Sequence, residues 1–312
     1  MEEPKVHIVR VSPATPDGED IISVVPDAKG MSNEEMQAVA SSQGHTTGFV
    51  FPAPAAFDFC HFEIRFWTRH YELERCTHGM IGTVWLLSKL GLTPRDYLHI
   101  VTKGGGLMEA RITKAPENTD ITVIWDIWVE VSHPKCTFMD VVSVKHTDAI
   151  LSELDISGDE IPRGLQVRNA GINRVKTLLP LKSLEVLNSL EMEYRRAKKL
   201  CEKVKSTGLC AYVIVDRELQ LYEAREFPRD FGSWEDTATA LAFALLFNDC
   251  LPNPKNTMRI MQNWGRGRRG EVNLRFWTSW DEVVGCWIGG FAKFETGKKE
   301  TEKATTEEAD TW

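Results

Sequence analysis

Two histidines and an aspartate are the side chains in this sequence whose type and setting best suit proton chemistry. His45 sits in Ser42-Gln43-Gly44-His45-Thr46-Thr47-Gly48, His78 in Cys76-Thr77-His78-Gly79, and Asp236 in Glu235-Asp236-Thr237-Ala238-Thr239. An imidazole titrates near neutrality and can take or return a proton there. A carboxylate can orient an imidazole, or cap a helix. The same residues also have ordinary readings: His45 as a polar turn residue, Cys76 as a packed small residue, Asp236 as a helix cap. Around them stand groups able to touch a bound molecule: Thr46 and Thr47, then Cys76, Thr77 and Gly79, then Thr237, Ala238 and Thr239.

Two of these runs open apolar helices. After Glu235-Asp236-Thr237-Ala238-Thr239 comes the nearly unbroken apolar stretch Ala240-Leu241-Ala242-Phe243-Ala244-Leu245-Leu246-Phe247. An acidic residue and threonines start a helix well, and a helix apolar all round is buried. The spacing predicts a central helix wrapped by sheet, its polar N-terminus at the floor of a cleft. Such an end carries free N–H donors and a positive dipole, which suits a carboxylate. The run Cys76-Thr77-His78-Gly79-Met80-Ile81-Gly82 opens a second buried helix over 83–90, ended by Gly91. At a helix start the dipole disfavours an imidazolium, so His78 is suited to hydrogen bonding or proton relay as the neutral ring.

The remaining chain reads mainly as strands. Residues 5–11 alternate apolar and polar; 21–25, 49–51, 59–67, 209–215, 222–227, 258–264, 272–277 and 284–294 are further strands. The region 98–144 is strand-rich, strongest over 121–131, with Gly104-Gly105-Gly106 as a hairpin turn. That glycine run lacks the Lys-Ser/Thr of a phosphate loop. Ser32-Asn33-Glu34-Glu35 has the capping-box spacing and starts a helix over 35–41. Short helix is expected over 147–154, strands over 166–171 and 174–179, and one long amphipathic helix over 184–206. The polar stretch 155–164 separates an N-terminal domain, 1–154, from a C-terminal one, 165–296; residues 297–312, low in apolar content, read as a disordered tail.

The two domains echo one another. Arg65-Phe66-Trp67-Thr68-Arg69 precedes the helix start at Cys76, and Arg225-Glu226-Phe227-Pro228-Arg229 precedes the one at Glu235. Each half thus has a strand, a turn and a buried helix with a polar N-terminus, and two such halves facing each other would aim both helix ends into one cleft.

Bulk properties narrow the function. The chain has 312 residues and a formal charge of −8, which argues against a nucleic-acid binder built on phosphate contacts. Seven cysteines without a paired spacing suggest a reducing compartment. The start, Met1-Glu2-Glu3-Pro4-Lys5, lacks a secretory pattern, and the longest apolar run is too short to cross a bilayer. A cytoplasmic protein with no membrane and no nucleic-acid partner is expected.

In order and spacing, these motifs resemble the PhzF family, phenazine-biosynthesis-like proteins on the diaminopimelate-epimerase fold. The resemblance covers roughly residues 5–295. It rests on Asn33-Glu34-Glu35-Met36-Gln37-Ala38-Val39-Ala40, on Arg65-Phe66-Trp67-Thr68 followed by Cys76-Thr77-His78-Gly79, on Glu235-Asp236-Thr237-Ala238-Thr239, and on Gln262, Gly265-Arg266-Gly267 and Ile288-Gly289-Gly290-Phe291-Ala292. It implies an α/β (α+β) protein of two similar domains, each a sheet wrapped around a central helix, with the active site between them. It further implies a small-molecule substrate, no cofactor, no metal, and in many members a homodimer.

The resemblance places His78 at the family's histidine and Asp236 at its aspartate. Cys76 stands where many members carry cysteine, and no second cysteine marks the other helix start, which argues against a two-thiol racemase. Other positions depart. The family's catalytic Glu is replaced by Thr46, or by His45 if the alignment slips by one. Its Gly-Ser after the second Thr is Ala240-Leu241, the Pro of its Asp-Pro-Ala-Thr is Thr237, and its early Gly-Asn-Pro loop is Pro16-Asp17-Gly18-Glu19-Asp20. Threonine cannot serve as a general base near neutral pH, so His45, His78 and Asp236 are the catalytic candidates. The expected function is an isomerase or cyclase acting on a small, rather apolar biosynthetic intermediate of secondary metabolism. The alternative is an inactive binding or scaffold relative.

Overall fold

A computed structural model describes residues 4–11, 21–113, 127–134, 137–171, 175–229, 257–262, 270–280 and 282–295. The predicted helix at 235–247 and the tail at 297–312 lie outside the described residues.

The architecture is mixed α/β and dominated by sheet, and it is built on a repeat of strand registers. In the first copy, β1 (His7–Val11) lies antiparallel to β2 (Ile21–Val25). β2 is parallel to β3 (Thr46–Pro52) across the helix α1 (Asn33–Gln43), and β3 is antiparallel to β4 (Phe62–Trp67). A two-residue strand, β5 (Glu72–Leu73), leads into α2 (Thr77–Lys89). β4 is parallel to β6 (Tyr97–Thr102), which turns at Gly104 into β7 (Gly106–Thr113), followed by β8 (Trp128–Pro134). Gly104 has φ 71°, a conformation glycine adopts without steric cost.

After β9 (Thr137–Val141) and α3 (Val144–Leu154) the order recurs. β10 (Arg168–Gly171) is antiparallel to β11 (Lys176–Leu181), and β11 is parallel to β12 (Gly208–Asp216) across the helices α4 (Leu184–Ser189) and α5 (Tyr194–Lys203). β12 is antiparallel to β13 (Leu221–Pro228), which is parallel to β14 (Thr257–Gln262). β15 (Gly270–Ser279) and β16 (Glu282–Gly290) complete this copy. Phe62 faces Ile100 in the first copy and Tyr222 faces Ile260 in the second, so the duplication extends to the pairing register.

The copies exchange their last strands. β9, which follows β8, pairs with β10, while β17 (Ala292–Phe294), which follows β16, pairs with β1. β8 and β16 pair with each other where the copies meet.

Ten of the thirteen residues of α2 are buried, as its all-round apolar pattern requires. It contacts β1, β2, β3, β7, β8, β16 and β17, and so forms the axle of the first copy. Gly82 lets it sit close to the sheet: a Cβ there would come within 2.5 Å of Ile22 Cδ1 and 2.6 Å of Val11 Cγ2. The opposite faces of the sheets carry the connecting helices. α1 covers Val25, Phe49 and Trp67, whereas α3, α4 and α5 cover Leu179, Leu181, Leu209 and Val213. No helix among the described residues is long and apolar enough to cross a membrane.

Two local expectations are corrected. The predicted helix over 184–206 is two helices. Leu190 leaves helical geometry (φ −57°, ψ 129°) and is buried. Arg225 Nη1 donates to the carbonyls of Leu187 (2.7 Å) and Asn188 (3.1 Å), oxygens that an unbroken helix would give to residues 191 and 192. The polar turn expected over 42–48 is shorter. α1 runs to Gln43, Gly44 closes it at φ 74°, and β3 begins at Thr46, paired in parallel with Ile22. The capping box at Ser32 and Glu35 forms as its spacing predicts.

Candidate active site at the start of the central helix

Cys76 is the N-cap residue of α2, but its side chain makes no capping hydrogen bond. In α1, α3 and α4 the corresponding Ser32, Ser143 and Ser183 each accept one from the first turn. The start of α2, like that of α5 at Glu193, is thus left without a side-chain cap, and its first-turn N–H groups and positive dipole end are open to another partner. Cys76 Sγ instead lies 3.7 Å from both ring nitrogens of His78, which is half-buried.

Thr77 begins the helix and is buried. Its Oγ1 lies 3.0 Å from Nε2 of His133, also buried. His133 is on β8, two and four residues beyond Val131 and Val129, which face the core that holds α2. A strand alternates faces, so the imidazole enters from the sheet toward the first turn of the helix. The residue types left His133 unremarked; the signal was a polar residue at an inward position of an alternating strand.

Gly79 makes room for Phe66. A Cβ at Gly79 would lie 2.8 Å from Phe66 Cε1 and 2.9 Å from Cys76 Sγ, and a Cβ at Gly48 would lie 3.0 Å from the same ring carbon and 2.6 Å from Thr83 Oγ1. Phe66 is thus an apolar wall against the helix start. Thr46 is half-buried and lies two residues before Gly48 on the same face of β3, whose start it marks.

Thr47 has the opposite orientation. It is buried with Trp67 and Ser23 as register partners, on the face that α1 covers, and its Oγ1 donates to the carbonyl of His45 at 3.3 Å. His45 is half-buried just before β3. Its charge acts on Glu295, whose carboxyl is held below the ordinary range, chiefly by hydrogen bonds from Arg10. Trp67 and Trp85 are core residues, Trp67 beneath α1 and Trp85 against Phe294. Asp236, Thr237, Ala238 and Thr239 lie outside the described residues.

Cys76, Thr77, His78, Gly79 and His133 therefore form one cluster at a helix N-terminus. It offers a neutral-pH proton carrier, a thiol, a hydroxyl and backbone donors beside an aromatic wall. Such a set can hold a carboxylate and move a proton at a neighbouring carbon.

The chain belongs to the family described as phenazine biosynthesis-like proteins, whose sequence profile matches residues 16–284. It is similar to an uncharacterized isomerase of Clostridium acetobutylicum, with 23% identity over 279 residues that span 86% of this chain and 88% of the relative. In fold it is similar to the PhzF-family phenazine biosynthesis protein of Bacillus anthracis (TM-score 0.79, 19% identity, 94% and 97% of the two chains covered). It is more distantly similar in fold to a probable proline racemase of Agrobacterium radiobacter (TM-score 0.53, 10% identity, 94% and 91% covered).

Proposed function

We propose that the chain is a cofactor-independent isomerase or cyclase acting on a small, rather apolar carboxylic acid, a biosynthetic intermediate of secondary metabolism. The observation that carries this reading is the cluster at the uncapped start of α2: Cys76, Thr77 and His78, with His133 behind them. The relatives' name, isomerase, agrees with it.

In this reading the substrate carboxylate rests on the first-turn N–H groups of α2, and Phe66 packs against its carbon frame. His78 takes the proton from a carbon activated by the carboxyl group and delivers it to another carbon, or supplies it during ring closure. Thr77, held by His133, fixes the turn so that the imidazole meets the carbon at a set distance. Asp236 is proposed to orient an imidazole from the second half, and His45 to supply a proton beside Thr46.

The second reading, a binding protein that has lost its chemistry, is favoured by Thr46, a hydroxyl at the position where the family resemblance expects a carboxylate. Incubation in deuterium oxide separates the two. An isomerase incorporates deuterium at carbon into L-alanine, L-proline, (S)-mandelate or 1-cyclohexene-1-carboxylate; a binding protein shifts in melting temperature with an acid and exchanges none.

A further inference from the structure

The two copies of the fold match in register but differ in chemistry at one inward-facing layer. In the first copy, Gly48 on β3 faces Phe66 on β4, and Ile22 on β2 lies beside Thr46. In the second, Cys210 on β12 faces Glu226 on β13, and Lys176 on β11 lies beside Gly208. Phe66 and Glu226 are equivalent, as are Ile22 and Lys176, and Thr46 and Gly208. The flanking Arg65 and Arg225 mark the same alignment in the sequence.

Where the first copy packs an aromatic ring under the start of its helix, the second holds a close ion pair between Lys176 Nζ and Glu226 Oε1. The two side chains are 4% and 8% exposed, which sets this pair apart from surface bridges. Gly208 creates its space, because a Cβ there would come within 2.7 Å of Glu226 Oε1 and 3.1 Å of Lys176 Nζ. The start of β11 is fixed around it. Thr177 Oγ1 donates to Asn169 Oδ1 at 2.7 Å, and Ser206 Oγ accepts from the N–H groups of Thr177 and Gly208, each at 3.1 Å. The negative charge of Glu226 reaches beyond its partner: the Cys210 thiol is pushed well up by burial first and by Glu226 second, with Lys176 opposing.

A buried ion pair contributes little to stability, since desolvation offsets its attraction. A pair built into a layer that the other copy fills with Phe66 and Ile22 calls for another use. We propose that Glu226 is a catalytic acid/base of the second copy, with Lys176 as its positioning residue. This rests on the reading of the chain as a proton-transferring isomerase. Glu226 takes a proton from an sp3 carbon α to the substrate carboxyl, or γ to it across a conjugated double bond. The C–H bond breaks, its electron pair enters the conjugated system, and an O–H bond forms on Glu226. Return of a proton to the same carbon from its other face, or to the other end of a conjugated system, restores the carboxylate and leaves an isomer, with no net change in electrons.

The test uses the full chain and the same four acids in deuterium oxide, with melting temperatures recorded alongside. Glu226→Gln is expected to lower exchange by about 100-fold or more, the usual share of a general acid/base. Lys176→Arg should retain more activity than Lys176→Met, and Lys176→Met/Glu226→Leu should be inactive yet melt at or above the wild type. Wild-type exchange in Glu226→Gln, or a double variant melting well below the wild type, overturns the proposal. A normal rate in His78→Asn with loss in Glu226→Gln sinks the role of His78 and leaves this one standing; the reverse pattern does the opposite. If the wild-type chain exchanges none of the four acids, both fail.

Discussion

Thr77 Oγ1 and His133 Nε2, 3.0 Å apart and both buried, join the first residue of the central helix to the inner face of β8. The two residues are far apart in sequence, and the bond fixes where the first turn of α2 sits relative to the sheet. Thr77→Val removes the hydroxyl at nearly constant volume and takes a partner from a buried ring. The expected loss is about 1–3 kcal/mol, the usual cost of removing one partner of a buried hydrogen bond. Urea unfolding of the wild type and variant measures it, and an unchanged midpoint would show that the bond holds nothing in place.

Gly79→Ala sets two effects against each other. Alanine in a helix is favoured over glycine by about 1 kcal/mol. The new Cβ, however, meets Phe66 Cε1 at 2.8 Å and Cys76 Sγ at 2.9 Å in a packed layer, and overpacking costs about 1–3 kcal/mol. The overlap should win, and the variant should unfold at lower urea. Gly48→Ala should behave likewise, through Thr83 Oγ1 at 2.6 Å. A stabilised Gly79→Ala would mean that Phe66 can move aside.

Thr83 presents the opposite case. It is fully buried in α2, and its hydroxyl has no hydrogen-bond partner among the described residues. Valine has the same shape without the polar atom, and removing an unsatisfied buried group is neutral or stabilising. Thr83→Val should therefore melt at or above the wild type in differential scanning calorimetry. A clear fall would reveal a partner for the hydroxyl.

Much of the fold was legible because it rests on local rules. Ser32 and Glu35 form the capping box their spacing predicts, and the apolar run after Thr77 becomes the buried axle. The echo around Arg65 and Arg225 is real at the level of strand register. The break at Leu190 was not legible, because Arg225, which takes the two helix carbonyls, comes from a strand far along the chain. His133 was missed for a similar reason: its partner Thr77 is 56 residues away, and the pairing of β8 with β7 and β16 brings it to the helix start. Thr47 shows the limit of reading by neighbourhood, since one step along a strand carries it to the other face from Thr46.

Acid should loosen the clasp between β17 and β1. Arg10 donates to Glu295 through Nε at 2.5 Å and Nη2 at 2.9 Å. These bonds, with smaller pulls from the charges of Arg10, Lys293 and His45, hold the carboxyl below its ordinary value of 4.5. A carboxyl lowered in the folded state stabilises above its unfolded pKa, and that contribution fades as pH falls through the folded value. Glu295→Gln should lower stability near neutrality and flatten its dependence on pH below 4.5. Melting curves across that range decide it, and parallel profiles for the wild type and variant would exclude the linkage.

The central claim is that the start of α2 moves a proton on a carboxylic acid, and deuterium incorporation measures that event itself. In deuterium oxide, the wild-type chain should label carbon in at least one of L-alanine, L-proline, (S)-mandelate and 1-cyclohexene-1-carboxylate. His78→Asn, folded and of similar melting temperature, should label it about 100-fold or more slowly. Equal labelling by the wild type and His78→Asn, or no labelling by the wild type, would contradict the account.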